Sequence, residues 1–178
     1  MGMTVHEVER FVFVDEMGSN INLYRKYGRS MKGQRVFDRI PYKRVKNQTL
    51  VGAMGLDGFK ADFAFEGAMN AQIFRIYVAE VLCPSLKPDQ IVIMDNLSSH
   101  KDSRIKILIE AVGCELKYLP PYSPDLSPIE HSFSKIKSYL RRIGARSKET
   151  LFEGMRDVLR TISLQDCRGW FTHCGYAH

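Results

Sequence analysis

The stretch "RFVFVDE", Arg10 to Glu16, contains a short apolar run that is followed at once by two acids. Its β-branched and aromatic residues predict a strand that is buried on both faces. A second run of this kind, "IVIM" from Ile91 to Met94, is followed by Asp95. If the two strands are parallel neighbours, Asp15 and Asp95 emerge at the same edge of the sheet, where the ligands of open α/β sheets collect.

The two aspartates also have a simpler interpretation, because an aspartate after a strand often forms a turn or caps a helix. Two carboxylates at one edge would repel each other unless a cation lay between them. Mg²⁺ suits that position, since it takes oxygen ligands and is often bound by only one or two carboxylates plus phosphate. From the residues alone, a metal site and two turn-forming aspartates both stay open.

The other segments predict a sheet that is covered by helices. "NLYRKYG" is a second, more polar strand candidate, and "QTLVGAMG" and "FKADFAFEG" flank the hairpin signal Asp57-Gly58. "CELKYL" alternates in polarity, as expected for a strand with one exposed face. The predicted order is three strands, helix, strand, helix, strand and two helices. We therefore expect an α/β fold with a mixed five-stranded sheet, three strands antiparallel, and helices on both faces.

Apolar periodicity predicts four helices. The first is capped by Asn70, the second stops at Gly113, the third runs from Ser127 to about Ile143, and the fourth from Ser147 to Ile162. The expected buried faces consist of Phe74, Tyr77, Val78 and Val81; of Ile105, Leu108, Ile109 and Val112; and of Ile129, Phe133, Ile136, Leu140 and Ile143. The tail "WFTHCGYAH" is too short for an assignment.

A proline-rich stretch, "PPYSPDLSPIEHSF" from Pro120 to Phe133, precedes the third helix. Prolines fix φ and bias the residues before them toward extended conformations, so this connection is stiff. "SPIE" has the pattern of a helix start, with Ser127 as N-cap, Pro128 in the first turn and Glu130 completing a capping box. We interpret Asp125 as a turn residue.

From the sequence alone, Glu130 has two interpretations. It lies about 100° around the helix from the buried stripe, and its own row continues through Ser134, Lys137 and Arg141. An acid at the head of a basic row suits a track for nucleic-acid phosphates. A capped helix with a solvated basic face accounts for the same pattern.

Composition limits the possible functions. The 178 residues suit one domain, and the net charge of +6 with a pI near 9.2 favours a polyanionic partner. No apolar run is long enough to span a bilayer, and "MGMTVHEVER" has no apolar signal region. The cysteines lack Cys-x-x-Cys spacing and are expected to be reduced thiols of an intracellular protein. They are Cys83, Cys114, Cys167 and Cys174.

Three segments together resemble the catalytic domain of DDE transposases of the mariner and bacterial insertion-sequence superfamily, which has an RNase H-like fold. They are "FVFVDEMG", "IVIMDNLSSHK" and "YLPPYSPDLSPIEHSFSKIKSYLRR". Thirty-four residues lie between Asp95 and Glu130, as in that superfamily, and the "PPYSPDLSPIE" string is highly specific. The resemblance extends from about Arg10 to the last predicted helix.

The resemblance implies metal-dependent DNA cleavage and strand transfer. Asp15, Asp95 and Glu130 would be the catalytic acids and would hold two Mg²⁺ ions about 4 Å apart, with Mn²⁺ as a substitute. Asn96 and His100 match family positions that support the metal ligands or contact DNA. No nucleotide cofactor is implied, because the P-loop pattern is absent.

Strand alternation should point Glu16, the acid next to the first catalytic aspartate, to the opposite face of the sheet. Basic residues of the early loop and of the third helix are expected to contact DNA phosphates as a group. They are Arg39, Lys43, Arg44, Lys46, Lys135, Lys137, Arg141 and Arg142.

Expected partners are transposon ends and target DNA, with a TA target dinucleotide implied by the resemblance alone, and a second copy of the chain in a homodimer. Full-length members carry an N-terminal helix-turn-helix region. We expect residues 1–178 to form a single catalytic domain without that region. The chain is then either a fragment of a longer transposase or one reading frame of a split element, in which a separate helix-turn-helix polypeptide supplies the region. We expect a cytoplasmic, nucleoid-associated location in a bacterium and no membrane contact.

Two other functions remain as alternatives. Another RNase H-like nuclease, such as a junction resolvase or ribonuclease H, would share the acids and the metal but would not join strands. The "PPYSPDLSPIE" string argues against it. An inactive, DNA-binding remnant of a transposable element is the second alternative, and the three intact acids argue against that.

Overall fold

A computed structural model of the chain describes residues 5–20, 22, 28–37, 46–96, 102–121 and 123–176. The strands are β1 (Phe11–Ser19), β2 (Gln48–Gly55), β3 (Gly58–Glu66), β4 (Ile91–Met94) and β5 (Glu115–Tyr118). The helices are α1 (Val5–Glu9), α2 (Ala71–Tyr77), α3 (Cys83–Ser85), α4 (Ser103–Ala111), α5 (Ile129–Ile143), α6 (Lys148–Leu159) and α7 (Leu164–His173). The polar strand candidate "NLYRKYG" lies mostly outside the described residues.

The five strands form one mixed sheet in the order β3-β2-β1-β4-β5. β2 pairs antiparallel with both β1 and β3, whereas β4 pairs parallel with both β1 and β5. The predicted hairpin joins β2 to β3 through Leu56 and Asp57, and Gly58 follows with a φ of 122° that favours glycine. The predicted fold class and hairpin are thus confirmed.

Alternation along β1 divides the core between the two faces of the sheet. Phe11, Phe13 and Met17 pack in the cluster that contains the buried residues of α5, α6 and α7. Val12 and Val14 pack in the other cluster, with α2 and α4. The described helices therefore cover both faces, and β1 is buried between them.

The helix that Asn70 caps departs from its predicted register. The Asn70 side chain accepts a hydrogen bond from the N–H of Ile73, and α2 then continues as a π-helical segment over Val78–Leu82. This wider turn precedes Pro84, which has no N–H to donate. Because the π-helical turn shifts the register, Leu82 is fully buried, whereas the predicted core residue Val81 is only half-buried.

The start and the end of α5 both correct the sequence prediction. The capping box at Ser127 is wrong: α5 begins at Ile129, and no described side chain caps it. Backbone groups act instead, because a 3-10 turn at Pro124–Leu126 leads directly into the helix and the Ser127 carbonyl accepts the N–H of Glu130 at 3.2 Å. Ile143, predicted to be in the core, is 44% exposed as the last residue of the helix.

The C-terminal region contains one helix that the sequence analysis did not assign. Ser147 caps α6 in a capping box with Thr150, and Ser163 caps α7 in a capping box with Asp166. All four cysteines are free thiols. Within the part of the chain that the structure describes, no helix is both long and apolar enough to cross a membrane.

Candidate active site

Asp15 and Asp95 lie side by side where β4 ends, although β1 itself continues past Asp15 to Ser19. Val14 of β1 pairs with Met94 of β4 in parallel register, so the next residue on each strand is one of the two aspartates. Asp15 continues the alternation of Phe11 and Phe13 and therefore points to the face that α5 covers. The predicted proximity of the two carboxylates agrees with this geometry. The prediction that Asp15 follows the end of its strand is wrong, because β1 continues to Ser19 in antiparallel pairing with β2.

Glu130 reaches the same place from the first turn of α5. Its neighbour Ile129 is fully buried in the core beneath the sheet, which turns Glu130 toward the place where β4 ends and Asp15 lies on β1. One cavity of about 350 Å³ is lined by Asp15, Asp95, Asn96 and Glu130, and by Leu119, Pro120, Pro121, Ser123, Pro124 and Ser127. Three acids that are far apart in sequence thus share a single cavity.

The electrostatics of the cavity disfavour a further negative charge. Burial raises the pKa of Asp15 to about 7, and the negative charges of Glu130, Glu16 and Asp95 contribute to this rise. The backbone N–H of Glu16 donates to Asp15 Oδ1 at 2.7 Å and acts in the opposite direction. A cation bound among these carboxylates would offset their repulsion.

The donor set fits a hard divalent cation. The ionisable groups that line the cavity are carboxylates, and the amide of Asn96 adds a neutral oxygen. No three Asp, Glu, His or Cys side chains of the described residues are arranged closely enough to enclose an ion as they stand. The arrangement is therefore an open, carboxylate-lined cavity, which matches a site that also takes ligands from its substrate.

Of the other site residues predicted from the sequence, some lie in the cavity, some lie elsewhere and some lie outside the described residues. Asn96 lines the cavity. His100 and three of the early-loop basic residues, Arg39, Lys43 and Arg44, lie outside the described residues. Glu16 belongs by alternation to the face of Val12 and Val14, and among the described residues it is not part of the cavity wall.

Lys135 differs from the rest of the basic group. Its Nζ donates to Asp166 Oδ2 at 2.8 Å and to the carbonyl of Thr161 at 3.0 Å, so it ties α5 to the start of α7. We therefore assign Lys135 a structural role. Lys137 and Arg141 remain on the row of Glu130, and the Arg142 guanidinium lies 5.0 Å from the centroid of the Tyr139 ring. Lys46 is 79% exposed and 3.7 Å from Glu66.

The sequence analysis missed two features of the site. The proline-rich connection was expected to position Glu130, but five of its residues also form much of the cavity wall, namely Leu119, Pro120, Pro121, Ser123 and Pro124. A second, open cavity of about 640 Å³ shares Pro124 and Glu130 with the first. There, the rings of His131 and His173 meet edge to face with centroids 4.7 Å apart. No sequence signal pairs these histidines, because α7 itself was not assigned.

Solved structures with a similar fold include complexes of a mariner transposase. The Mos1 strand transfer complex matches with a TM-score of 0.73 and 20% identity, over 94% of this chain and 52% of that chain. The Mos1 mariner paired end complex with Mn matches with a TM-score of 0.73 and 19% identity, over 95% of this chain and 54% of that chain. This chain thus spans about half the length of those two chains.

A structure of the Mos1 transposase catalytic domain with Raltegravir and Mg matches with a TM-score of 0.64 and 16% identity, over 95% of this chain and 80% of that chain. Among curated proteins, none matches the sequence. The family model for the DDE superfamily endonuclease matches residues 10–152, which is well over half of the chain and includes Asp15, Asp95 and Glu130. The chain is therefore a member of the DDE superfamily of endonucleases.

Proposed function

We propose that this chain is the catalytic domain of a DNA transposase that cleaves DNA and transfers the cut strand. The observation that carries the proposal is the convergence of Asp15, Asp95 and Glu130 on one cavity inside the segment that matches the endonuclease family. The fold, which is similar to that of a mariner transposase in strand transfer and paired end complexes, supports it.

The three carboxylates would hold Mg²⁺ or Mn²⁺. The chemistry supplied by the bound metal is Lewis-acid activation of a water or 3′-hydroxyl nucleophile and charge stabilisation of the leaving 3′-oxygen. Phosphoryl transfer of this type depends on positioning and electrostatics more than on a covalent intermediate. The residues of the chain accordingly hold and orient the metal and the DNA. Asp15 of β1, Asp95 after β4 and Glu130 at the start of α5 supply the acids, and prolines of the connection enclose the cavity.

DNA would reach the cavity along the outer side of α5. Glu130 heads the row that continues through Lys137 and Arg141, so a phosphate backbone following this row would arrive at the acids. Lys46 and Arg142 extend the basic surface, and we retain Arg39, Lys43 and Arg44 in the group. We further propose that the chain acts as a homodimer with a separate helix-turn-helix polypeptide. Its target would be a TA dinucleotide, and its location the nucleoid-associated cytoplasm.

The test is a divalent-metal nicking assay on supercoiled DNA, with the domain alone and joined to a helix-turn-helix partner. Wild-type protein should nick DNA with Mg²⁺ and with Mn²⁺, but not in EDTA. Asp95→Asn should lose at least 100-fold in rate, since it removes a ligand charge at the reacting centre. Asp125→Asn is the matched control, because Asp125 is an exposed acid of the proline-rich connection and does not line the cavity of Asp15 and Asp95.

Equal rates for Asp95→Asn and wild type would show that the acids were assigned wrongly. If no form of the protein cleaves, the inactive, DNA-binding alternative replaces the proposal. Strand transfer is tested separately, by supplying a precut 3′-hydroxyl end and a target plasmid. Nicking without any joined product, or a preference for RNA–DNA hybrids, would instead identify an RNase H-like nuclease.

A further inference from the structure

Tyr176, near the C-terminus, contacts both strand β1 and the connection that leads to Glu130. Its buried ring packs against Phe11, with centroids 5.8 Å apart, and against Phe13, with centroids 5.3 Å apart. Its hydroxyl donates a hydrogen bond of 2.7 Å to the carbonyl of Leu126. A single side chain therefore joins the strand that carries Asp15 to the segment that precedes Glu130.

The end of α7 is built to hold Tyr176 in this place. Gly175 has a φ of 84°, its N–H donates to the carbonyl of Thr172, and the N–H of Tyr176 donates to that of Phe171. These two bonds form a Schellman motif, in which the residue after the glycine packs back onto the last turn. The ring centroids of Phe171 and Tyr176 are 5.8 Å apart, which is the contact that this motif produces.

The position of Leu126 bears directly on Glu130. Leu126 ends the 3-10 turn, and the next residue, Ser127, accepts the N–H of Glu130 through its carbonyl. No described side chain caps α5, so the first turn depends on these backbone bonds. A shift of the Leu126 carbonyl would therefore move the start of α5 together with the carboxylate of Glu130.

We propose that Tyr176 is a positioning residue that sets the separation between Asp15 and Glu130 through its bond to Leu126. The inference rests on the proposed function, because it concerns the same acids. It adds an element that the family match does not include, since that match ends at residue 152 and Tyr176 lies 24 residues beyond it. The C-terminal helix is then a support of the catalytic geometry.

The test is Tyr176→Phe, which keeps the ring and removes only the hydroxyl. Because catalysis is sensitive to sub-ångström misplacement, we expect kcat for metal-dependent nicking to fall about tenfold or more, with KM for DNA within about twofold. The melting temperature should change little, and amide hydrogen exchange in residues 123–130 should become faster. A merely structural residue would alter the melting temperature without this local change in exchange.

Tyr139→Phe is the matched control, because it removes a hydroxyl from a half-buried tyrosine of α5 outside the cavity wall. It should change neither kcat nor exchange. Unaltered kcat and unaltered exchange in Tyr176→Phe would overturn the inference. If wild-type protein shows no metal-dependent cleavage at all, the proposed function fails, and the exchange measurement alone decides whether Tyr176 holds the connection.

Discussion

Asp15 lies directly opposite Gly52 on the neighbouring strand, and the ring of Phe59 occupies the space where a side chain at position 52 would lie. A Cβ atom at Gly52 would be 2.4 Å from Phe59 Cζ. The absence of a side chain at Gly52 thus allows Phe59 to pack across the strand pair that presents the first acid.

We expect Gly52→Ala to displace Phe59, to lower the free energy of unfolding by about 1–3 kcal/mol, and to reduce nicking by folded protein. Urea unfolding and the nicking assay measure the two effects. Gly18→Ala is the control, since a Cβ atom there has no neighbour within 4 Å and should be tolerated. Equal stability of the two variants would show that the packing of Phe59 on Gly52 is unimportant.

Lys135 and Lys137 lie two residues apart on α5 but should respond in opposite ways to replacement by Met. Lys135→Met leaves Asp166 without its ammonium partner and should lower the free energy of unfolding by about 1 kcal/mol, with little effect on DNA affinity. Lys137→Met should leave stability unchanged and should reduce the log–log salt slope of DNA binding by about 0.9.

Fluorescence anisotropy over a range of salt concentrations, together with thermal unfolding, separates the two lysines. The same pair has a pH signature, because hydrogen bonding to Lys135 lowers the pKa of Asp166. That stabilisation is complete above the ordinary carboxyl pKa and is lost as the pH falls through the lowered one. In acid, the free energy of unfolding of wild type should therefore no longer exceed that of Lys135→Met. A stronger DNA defect in Lys135→Met than in Lys137→Met would contradict our assignment.

Replacing the first acid should stabilise the metal-free protein. The pKa of Asp15 rises from 3.8 to about 7 on folding, so the folded protein holds the proton more tightly than the unfolded chain. Stability is therefore lost as the pH rises from about 4 to 7, and at pH 8 the cost amounts to at most about 4 kcal/mol. Asp15→Asn removes this cost, because the amide side chain carries no charge at any of these pH values.

In EDTA, we expect the melting temperature of Asp15→Asn to exceed that of wild type by several degrees at pH 8 and to match it near pH 4. Mg²⁺ should then raise the melting temperature of wild type but not that of the variant. Asp125→Asn provides the exposed-acid control. A variant less stable than wild type at pH 8 would mean that the carboxylate of Asp15 has a stabilising partner.

Two glycines in helices should give opposite results when changed to alanine. A Cβ atom at Gly154 of α6 would lie 2.7 Å from Ile143 Cδ1 and 2.8 Å from Leu140 Cδ2 of α5, so Gly154→Ala should cost about 1–3 kcal/mol. A Cβ atom at Gly169 of α7 would have no neighbour within 4 Å, and Gly169→Ala should stabilise by up to about 1 kcal/mol. Chemical denaturation measures both, and destabilisation by Gly169→Ala would contradict the second expectation.

The central sheet and the three acids were predictable because their signals are local. An apolar run followed by an acid indicates a buried strand and the acid beside it, although it did not show that β1 continues past Asp15 to Ser19. The stop at Gly113 was predictable for the same reason, since its φ of 78° is one that glycine adopts readily. The family resemblance implied that Asp15, Asp95 and Glu130 form one site, and all three residues line one cavity.

The features that were missed depend on contacts between distant residues or on competing local solutions. Tyr176 and Leu126 are 50 residues apart, and nothing in either segment indicates the other. The capping box at Ser127 failed because backbone carbonyls bind the same N–H groups: that of Pro124 accepts from Ser127, and that of Ser127 accepts from Glu130. By contrast, α7 had a usable signal, since Ser163 and Asp166 form a capping pattern and Cys167 and Phe171 share one face.

Strand β1 is the middle strand of five and is hydrogen-bonded on both sides, whereas Glu130 is carried on a helix that begins after an irregular connection. Amide protons of β1 and β4 should therefore exchange only on global unfolding, while those of residues 123–130 should exchange through smaller, local openings. The site then has a rigid half with two aspartates and a separately adjustable half with the glutamate. A small change in the second half would therefore move the carboxylate of Glu130 without disturbing the sheet that holds the two aspartates.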